Sequence, residues 1–168
     1  MGQIGDGWAE DAHHYFRTPG KRMATAALFY DTGGRILIAK PVYRAEWLLP
    51  GGSVEENESP YAACVREVAE ELGRELPVGR LLSIEYLPAR TRSRPESVKM
   101  IFDGGILDDD TFTSLAPQPK EIAELRLLAA QKADPLLAPR IRSRVTAALL
   151  ALKRGTTAYL EDGRVVVA

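Results

Sequence analysis

The sequence predicts an α+β fold in which a mixed β-sheet is held between helices. Two observations lead to this prediction. Short apolar stretches separated by turn residues come both before and after one helical segment, and a second long helical segment follows near residue 134. A length of 168 residues suits one domain with a full core. We therefore expect residues 1–20 to form an N-terminal arm and residues 21–168 to form a single domain.

Six stretches in the body of the chain have the alternating or apolar character of β-strands. Asp31–Gly34 is a hairpin turn signal between the first two, and the Asp-Gly pair at 162–163 indicates a small hairpin in the tail. A long loop is expected over residues 108–120. The predicted strands are residues 22–30, 35–40, 47–49, 78–87, 97–107 and 121–128.

Two helices are predicted from their end signals. Ser59 is a good N-cap, and Pro60 suits the first helical position, where a missing N–H costs nothing. The first helix is therefore predicted over residues 60–72, and Gly73 ends it, because glycine takes the left-handed conformation easily. The same rules predict a second helix from residue 134 to Gly155.

The first helix concentrates carboxylates on one side. Glu67, Glu70 and Glu71 are spaced i, i+3 and i+4, so their side chains are neighbours and repel one another. A hard cation removes that repulsion, and Mg²⁺ binds one or two carboxylates together with water and phosphate oxygens. The alternative interpretation is an ordinary solvated acidic face. The apolar stripe predicted to face the core consists of Tyr61, Val65, Val68 and Leu72.

The acidic helix belongs to a longer pattern of fixed spacing. Residues 52–74 resemble the Nudix box, G-x5-E-x7-R-E-U-x-E-E-x-G-U, in which U is a bulky aliphatic residue. Arg74 departs from this pattern, because an aliphatic residue is expected there and usually packs under the helix end. Residues 47–52, Trp-Leu-Leu-Pro-Gly-Gly, also resemble the segment that leads into the box in this family.

The resemblance implies the Nudix α/β/α sandwich with a mixed β-sheet. It also implies hydrolysis of a phosphoanhydride bond in a nucleoside diphosphate linked to another moiety. ADP-ribose, a dinucleoside polyphosphate, a nucleoside triphosphate and a nucleotide sugar are the substrate types to expect. The implied cofactor is Mg²⁺ (or Mn²⁺), which lowers the pKa of the attacking water and neutralises charge in the transition state.

The resemblance also implies roles for residues of the box. Glu67 is expected to be a metal ligand or the water-activating base, and Glu70 and Glu71 are expected to be metal ligands. The backbone carbonyl of Gly52 is a further expected ligand. Arg66 is expected to position one of the carboxylates through a charge-assisted hydrogen bond.

One more acid is expected from a loop outside the box. Glu121 is the first candidate and Glu124 and Asp109 come next, while the alternative for Glu121 is a solvated residue at a strand start. Glu58 has two interpretations: it binds the metal indirectly, or it only pairs with Arg66.

Positive groups must meet the phosphates of such a substrate. Lys40 and Arg44 precede the glycine turn, and Arg90 lies in a basic loop, so these three are the predicted substrate-binding cations. The alternative for each is an ordinary solvated cation.

Composition excludes several function classes. A net charge of −1 provides no global field for nucleic acid or membrane, and no apolar run is long enough to span a bilayer. We therefore expect a small-molecule nucleotide substrate, no nucleic-acid partner, no membrane association and a cytoplasmic location. Homodimers are common in the family, and the sequence leaves the oligomeric state open.

Two rival functions share the fold. Isopentenyl diphosphate isomerases use a catalytic cysteine, and Cys64, the single cysteine of the chain, is expected to be a small buried hydrophobe on the box helix. A non-catalytic nucleotide-binding Nudix module usually has a broken box, whereas this box keeps all its glutamates.

Overall fold

The computed structural model describes residues 20–168, so the predicted arm lies outside the described residues apart from Gly20. The strands of this part are β1 (Arg22–Tyr30), β2 (Arg35–Pro41), β3 (Leu81–Leu87), β4 (Ser97–Ile106), β5 (Ile122–Ala129), β6 (Ala158–Glu161) and β7 (Arg164–Val167). The helices are α1 (Pro60–Leu72), α2 (Asp109–Thr113), α3 (Ala130–Ala133) and α4 (Pro139–Arg154), with a 3-10 turn at Asp134–Leu136.

All these strands join one sheet in the order β5-β2-β1-β4-β3-β6-β7. β1 runs parallel to β4, and β3 runs parallel to β6, while the other neighbouring pairs are antiparallel. The predicted mixed sheet is therefore confirmed. The predicted tail hairpin is also confirmed, and it extends the main sheet beyond β3.

Helices cover both faces of this sheet. α1 packs on the face that carries Ala27 and Phe29 of β1 and Phe102 of β4. α4 packs on the opposite face, against Leu28 and Ile101. Alternate side chains of β1 therefore pack into two hydrophobic cores, one on each face of the sheet. The result is an α/β/α sandwich.

The segment 47–54 fills a gap inside the sheet. β1 and β2 pair at their hairpin end, through Tyr30 and Ile36, and this segment lies between them farther along. Its backbone bonds to β2 through Leu48 and Ala39, with N···O distances of 2.8 and 2.9 Å in the two directions. The predicted strand 47–49 is wrong in form, because Trp47 and Leu48 make only isolated bridges to different partners.

Two other element boundaries differ from prediction by more than one residue. The predicted strand 78–87 begins only at Leu81. The second long helix begins at Pro139, because Ala138 before it is extended at ψ 139°, as a residue before proline prefers. Part of the predicted helix from residue 134 is instead the short 3-10 turn.

The predicted loop over residues 108–120 contains the short helix α2. Its N-cap is Asp108, whose carboxylate accepts a hydrogen bond from the Thr111 N–H at 2.7 Å. Two more acids in its first turn complement the helix dipole.

The end signals of α1 behave as predicted, and its buried stripe is shifted. Ser59 accepts a hydrogen bond from the Ala62 N–H, and Gly73 ends the helix with φ 65°. Tyr61 is 49% exposed, with its hydroxyl donating to the Val78 carbonyl. The buried positions of α1 are Ala63, Cys64, Val68, Glu71 and Leu72. In residues 20–168 no helix is both long and apolar enough to cross a bilayer.

Candidate active site

Two glutamates of α1, Glu67 and Glu71, lie at the glycine pair that precedes the helix, and Glu70 shares a hydrogen-bonding partner, Arg66, with Glu67. Glu71 is the most buried at 9% exposure, and it accepts a hydrogen bond from the Gly51 N–H at 2.8 Å. The side chain of Glu67 is 17% exposed and that of Glu70 is 48% exposed. The predicted acidic side of the helix therefore runs from solvent into the interior, and is not an evenly solvated face.

The two glycines allow this close approach for different reasons. Gly51 has φ +144°, and a Cβ there would meet the backbone of Thr25 and Ala26 well inside 3.0 Å. A Cβ on Gly52 would instead meet the carboxylate of Glu67, also inside 3.0 Å. The glycine pair thus fits against β1 on one side and leaves room for Glu67 on the other.

The carbonyls of this loop alternate in direction. The Pro50 and Gly52 oxygens accept hydrogen bonds from the Ala27 and Thr25 N–H groups of β1, at 2.9 and 2.8 Å. One lone pair of the Gly52 carbonyl, the predicted metal ligand, is therefore used by the sheet. Within the described residues the Gly51 carbonyl accepts no backbone hydrogen bond.

Arg66 lies at the centre of the acidic cluster. Its Nε and Nη2 donate to the two oxygens of Glu58, both at 2.9 Å, and its Nη1 donates to Glu67 at 3.0 Å and Glu70 at 3.1 Å. A further bond reaches the Ser53 carbonyl at 3.2 Å. Of the two interpretations of Glu58, this geometry is that of pairing with Arg66, whose guanidinium lowers the pKa of the Glu58 carboxyl to about 2.

Burial and mutual repulsion raise the pKa values of two box glutamates. Burial raises the pKa of Glu71 to about 7, and the negative charges of Glu67, Glu121 and Glu70 add to this rise. The hydrogen bond from the Gly51 N–H acts in the opposite direction and lowers the pKa. The pKa of Glu67 is also raised, first by burial, with Arg66 opposing and with Glu70 and Glu121 adding. The site is thus short of positive charge.

Glu121 comes to this site from about fifty residues farther along the chain. It lies just before β5, where its carbonyl accepts a hydrogen bond from the Val42 N–H at 2.9 Å, and its side chain is exposed. Its charge is close enough to raise the pKa values of Glu67 and Glu71.

The two runner-up acids have other partners. Glu124 pairs with Arg126 at 2.6 Å, and Asp109 pairs with Arg35 at 2.7 Å, all on exposed side chains.

The oxygen donors of this site fit a hard divalent cation. Glu67 and Glu71 are half-buried and buried carboxylates with raised pKa values, as suits ligands of a cation, and the space beside Gly52 that a Cβ would fill holds the Glu67 carboxylate. No group of three or more acidic, His or Cys side chains in residues 20–168 is arranged to hold a metal as it stands. Glu67 and Glu70 are both hydrogen-bonded to Arg66 in this structure.

The predicted substrate-binding cations are found in three different settings. The Lys40 ammonium donates to the Ala45 carbonyl. The Arg44 guanidinium lies 5.7 Å from the ring centroid of Tyr43 and is exposed. Arg90 pairs with Asp162 at 2.5 Å, which ties the β3–β4 loop to the tail hairpin. Arg90 is therefore already occupied by a partner carboxylate.

Sequence reasoning missed one basic residue inside the sheet. Lys99 of β4 is half-buried and lies on the same face as Ile101, on the side of α4. The period-2 pattern of β4 was the available signal, because it places this lysine on a core-facing row.

Comparison with known proteins gives the family. A model of the NUDIX domain matches residues 20–149. This chain belongs to the Nudix family.

Solved structures of Nudix proteins share the fold at low identity. A UDP-X diphosphatase superposes with a TM-score of 0.67 at 20% identity, covering 94% of this chain and 77% of that one. A NUDIX hydrolase from Nitrosomonas europaea gives 0.66 at 22% identity, covering 86% and 80%. A MutT protein from Methanosarcina mazei Go1 gives 0.63 at 20% identity, covering 82% and 99%.

Similar curated proteins match over a short segment. Diphosphoinositol polyphosphate phosphohydrolase 2 of Homo sapiens is 45% identical over 49 residues, which is 29% of this Nudix chain and 27% of the relative. Diphosphoinositol polyphosphate phosphohydrolase 3-alpha of Mus musculus is 43% identical over 49 residues, 29% of this chain and 30% of the relative. The chain thus spans less than a third of the curated relatives that it matches.

Proposed function

We propose that this Nudix protein is a divalent-metal-dependent hydrolase of a phosphoanhydride bond in a small molecule, with a nucleoside diphosphate linked to another moiety as the expected substrate type. The observation that carries the proposal is the convergence of Glu67, Glu70, Glu71 and Glu121 at one glycine turn. The raised pKa values of Glu67 and Glu71 mark a place where negative charge is concentrated and a cation would be favourable.

The carboxylates of α1 would hold Mg²⁺ or Mn²⁺. Glu71, fixed by the Gly51 N–H, is the most rigid of them, and Glu67 and Glu70 complete the set once released from Arg66. A loop carbonyl would add a further oxygen, and the Gly51 carbonyl is better placed than that of Gly52, which already bonds to β1. The bound cation would lower the pKa of water and neutralise phosphate charge in the transition state.

The remaining roles belong to groups around these ligands. Glu67 or Glu121 would accept the proton of the attacking water, because both carboxylates lie at the site and Glu121 is exposed to solvent. Arg66 holds Glu67 and Glu70 on one side and is itself fixed by the two oxygens of Glu58. Arg66 is thus a positioning residue in this proposal.

The isomerase alternative finds no support in the thiol. Cys64 is completely buried, and burial raises the pKa of its thiol to about 12. A thiol in that state is a poor nucleophile or acid at neutral pH.

A hydrolysis screen tests the proposal. Purified protein is assayed with Mg²⁺ and with Mn²⁺ against ADP-ribose, dinucleoside polyphosphates, nucleoside triphosphates, nucleotide sugars and a diphosphoinositol polyphosphate. The last is included because the names of the curated relatives contain that substrate. Glu71→Gln serves as the inactive control, since it keeps the shape of a proposed ligand and removes its charge. Binding of these compounds without turnover would support the non-catalytic module instead.

A further inference from the structure

One buried hydroxyl beside the glycine pair has no hydrogen-bond partner. Thr25 of β1 is 4% exposed, and its Oγ1 neither donates nor accepts a hydrogen bond among residues 20–168. Its backbone is tied to the glycine turn, because its N–H donates to the Gly52 carbonyl at 2.8 Å. A buried hydroxyl without a partner destabilises a folded protein, so its retention beside a candidate active site indicates a role there.

The pairing of β1 with the glycine turn sets the direction of the Thr25 side chain. Ala24 and Ser53 form an antiparallel bridge, so Thr25 and Gly52 lie opposite each other. Residues opposite each other on two strands point to the same face, with their Cβ positions about 5 Å apart. This is the face that α1 covers, because Thr25 lies two residues before Ala27, which packs there. The Thr25 hydroxyl therefore lies between β1 and the acidic helix.

The carboxylate of Glu67 occupies the space where Gly52 has no Cβ. Its three carboxyl atoms all lie within 3.0 Å of the position that a Cβ would take. The Thr25 Cβ is about 5 Å from that position, so the hydroxyl and the carboxylate are neighbours. The Oε1 of Glu67 accepts a hydrogen bond from Arg66 at 3.0 Å, and its Oε2 accepts none within the described residues. An oxygen without a donor thus lies near a hydroxyl without an acceptor.

The Cys64 thiol is a second neighbour of this hydroxyl. Burial raises the pKa of the thiol to about 12, and the Thr25 hydroxyl acts in the opposite direction. Sulfur is a weak hydrogen-bond acceptor, whereas a carboxylate is a strong one and forms charge-assisted hydrogen bonds. The thiol therefore leaves the hydroxyl available to the carboxylate.

We propose that Thr25 is a positioning residue, whose hydroxyl donates a hydrogen bond to the Glu67 carboxylate when the site holds a divalent cation. The proposal rests on the cation-binding part of the hydrolase function above and adds a residue from outside the box to it. Hydrogen-bond partners of this kind fix the orientation of a metal-binding carboxylate. Their loss usually weakens metal binding by about ten- to a hundredfold.

Thr25→Val tests this role, because it keeps the shape of the side chain and removes the hydroxyl. Mg²⁺ alone is titrated into the full chain by calorimetry, and the Tm is measured in EDTA. We expect the Kd for Mg²⁺ to rise about ten- to a hundredfold in Thr25→Val. The Tm in EDTA should be no lower than that of the wild type, because the substitution removes a buried hydroxyl that has no partner. A hydroxyl with a purely structural role would instead lower the Tm and leave the Kd unchanged.

Thr156→Val is the matched control. The Oγ1 of Thr156 is also buried and without a hydrogen-bond partner in the part of the chain that the structure describes. It lies between α4 and β6, and β6 is three strand spacings, about 14 Å, from β1. Thr156→Val should therefore bind Mg²⁺ within twofold of the wild type.

Thr25→Ser and Thr25→Ala protect the test against a folding defect in Thr25→Val. Both remove the same methyl group, and they differ only in the hydroxyl. Thr25→Ser should bind Mg²⁺ within about threefold of the wild type, and Thr25→Ala about tenfold or more weakly than Thr25→Ser. Equal Kd values in this pair, or the wild-type Kd in Thr25→Val, would overturn the proposal, because the hydroxyl would then serve another partner.

The positioning role and the hydrolase proposal fail in different ways. Mg²⁺ binding that depends on the Thr25 hydroxyl, in a protein that hydrolyses none of the screened compounds, would leave the positioning role and overturn the hydrolase. Hydrolysis with an Mg²⁺ affinity that Thr25→Val leaves unchanged would overturn the positioning role and leave the hydrolase. A wild type that binds neither Mg²⁺ nor Mn²⁺ would overturn both.

Discussion

Replacing each of two adjacent glycines by alanine should separate catalysis from folding. At Gly52 the new Cβ meets only the carboxylate end of Glu67, which is the far end of a flexible side chain. At Gly51 the new Cβ meets the backbone of Thr25 and Ala26, and φ is +144°, a conformation that alanine rarely adopts.

The expected magnitudes follow from what each methyl group displaces. In Gly52→Ala the Glu67 carboxylate has to move by about 1 Å, and a displacement of that size at a catalytic centre costs about a hundredfold in rate. The fold should lose less than about 1 kcal/mol, because a side chain and not the backbone gives way. In Gly51→Ala, overpacking and a strained φ cost about 1–3 kcal/mol each, so we expect a loss of about 3 kcal/mol or more.

Two measurements on each variant check this pair. The rate is measured as kcat on the best substrate from the screen, and stability is measured as the Tm and by denaturant unfolding. A loss of 3 kcal/mol corresponds to a fall in Tm of about 6–12 °C for a chain of this size. Gly33→Ala is the control, since its Cβ would make only ordinary contacts of 3.4 Å or more with Asp31. Wild-type kcat in Gly52→Ala, or equal destabilisation of the two variants, would refute the reasoning.

Three more predictions concern the site and the core. Glu121→Gln should lower kcat by about a hundredfold or more with little change in KM, as expected for the loss of a proton acceptor. Glu124→Gln, on the same edge of the sheet, should change kcat very little. Equal effects of the two substitutions would reject the assignment of Glu121. Mg²⁺ should raise the Tm, and above the Kd the rise should grow with the logarithm of the Mg²⁺ concentration. At 100 times the Kd the free energy of unfolding should be larger by about 2.7 kcal/mol. Glu71→Gln should lose most of that rise, and a Tm in wild type that ignores millimolar Mg²⁺ would contradict metal binding. Cys64 should resist alkylation by iodoacetamide at pH 8 in the native protein and react fully in urea. The reason is that a thiol with a pKa of about 12 is ionised only to about 10⁻⁴ at that pH. Rapid alkylation of the native protein would contradict this prediction.

The elements with strong local signals were predictable from sequence. α1 has its cap, its first-turn proline and its terminal glycine inside fifteen residues, and its bounds were correct. The strands β1 and β2 flank a standard turn and were also correct to within a residue. These signals depend on backbone conformation and hydrogen bonding over a few neighbouring residues, so they can be recognised from the residue types alone.

Features that depend on distant partners were less predictable. The predicted strand at 47–49 was wrong because Trp47 and Leu48 bond to two different segments, at Leu136–Leu137 and at Ala39 of β2, and no local pattern describes such a setting. Glu121 was expected near the box glutamates only through the family resemblance, because the pairing of β5 with β2 that brings it there has no local signal. Lys99 was overlooked because a lysine in a strand is normally solvated, whereas this one is half-buried on the face of the sheet that α4 covers.

The glycine turn has a consequence for how this protein should lose activity on heating. Because residues 47–54 are hydrogen-bonded to β1 through Met23, Thr25 and Ala27, this loop is part of the central sheet and not a peripheral flap. Its amide hydrogens at the bonded positions should therefore exchange with solvent only when the sheet itself opens. Inactivation and global melting should therefore occur at the same temperature. On heating, we expect no inactive intermediate in which the sheet is still folded.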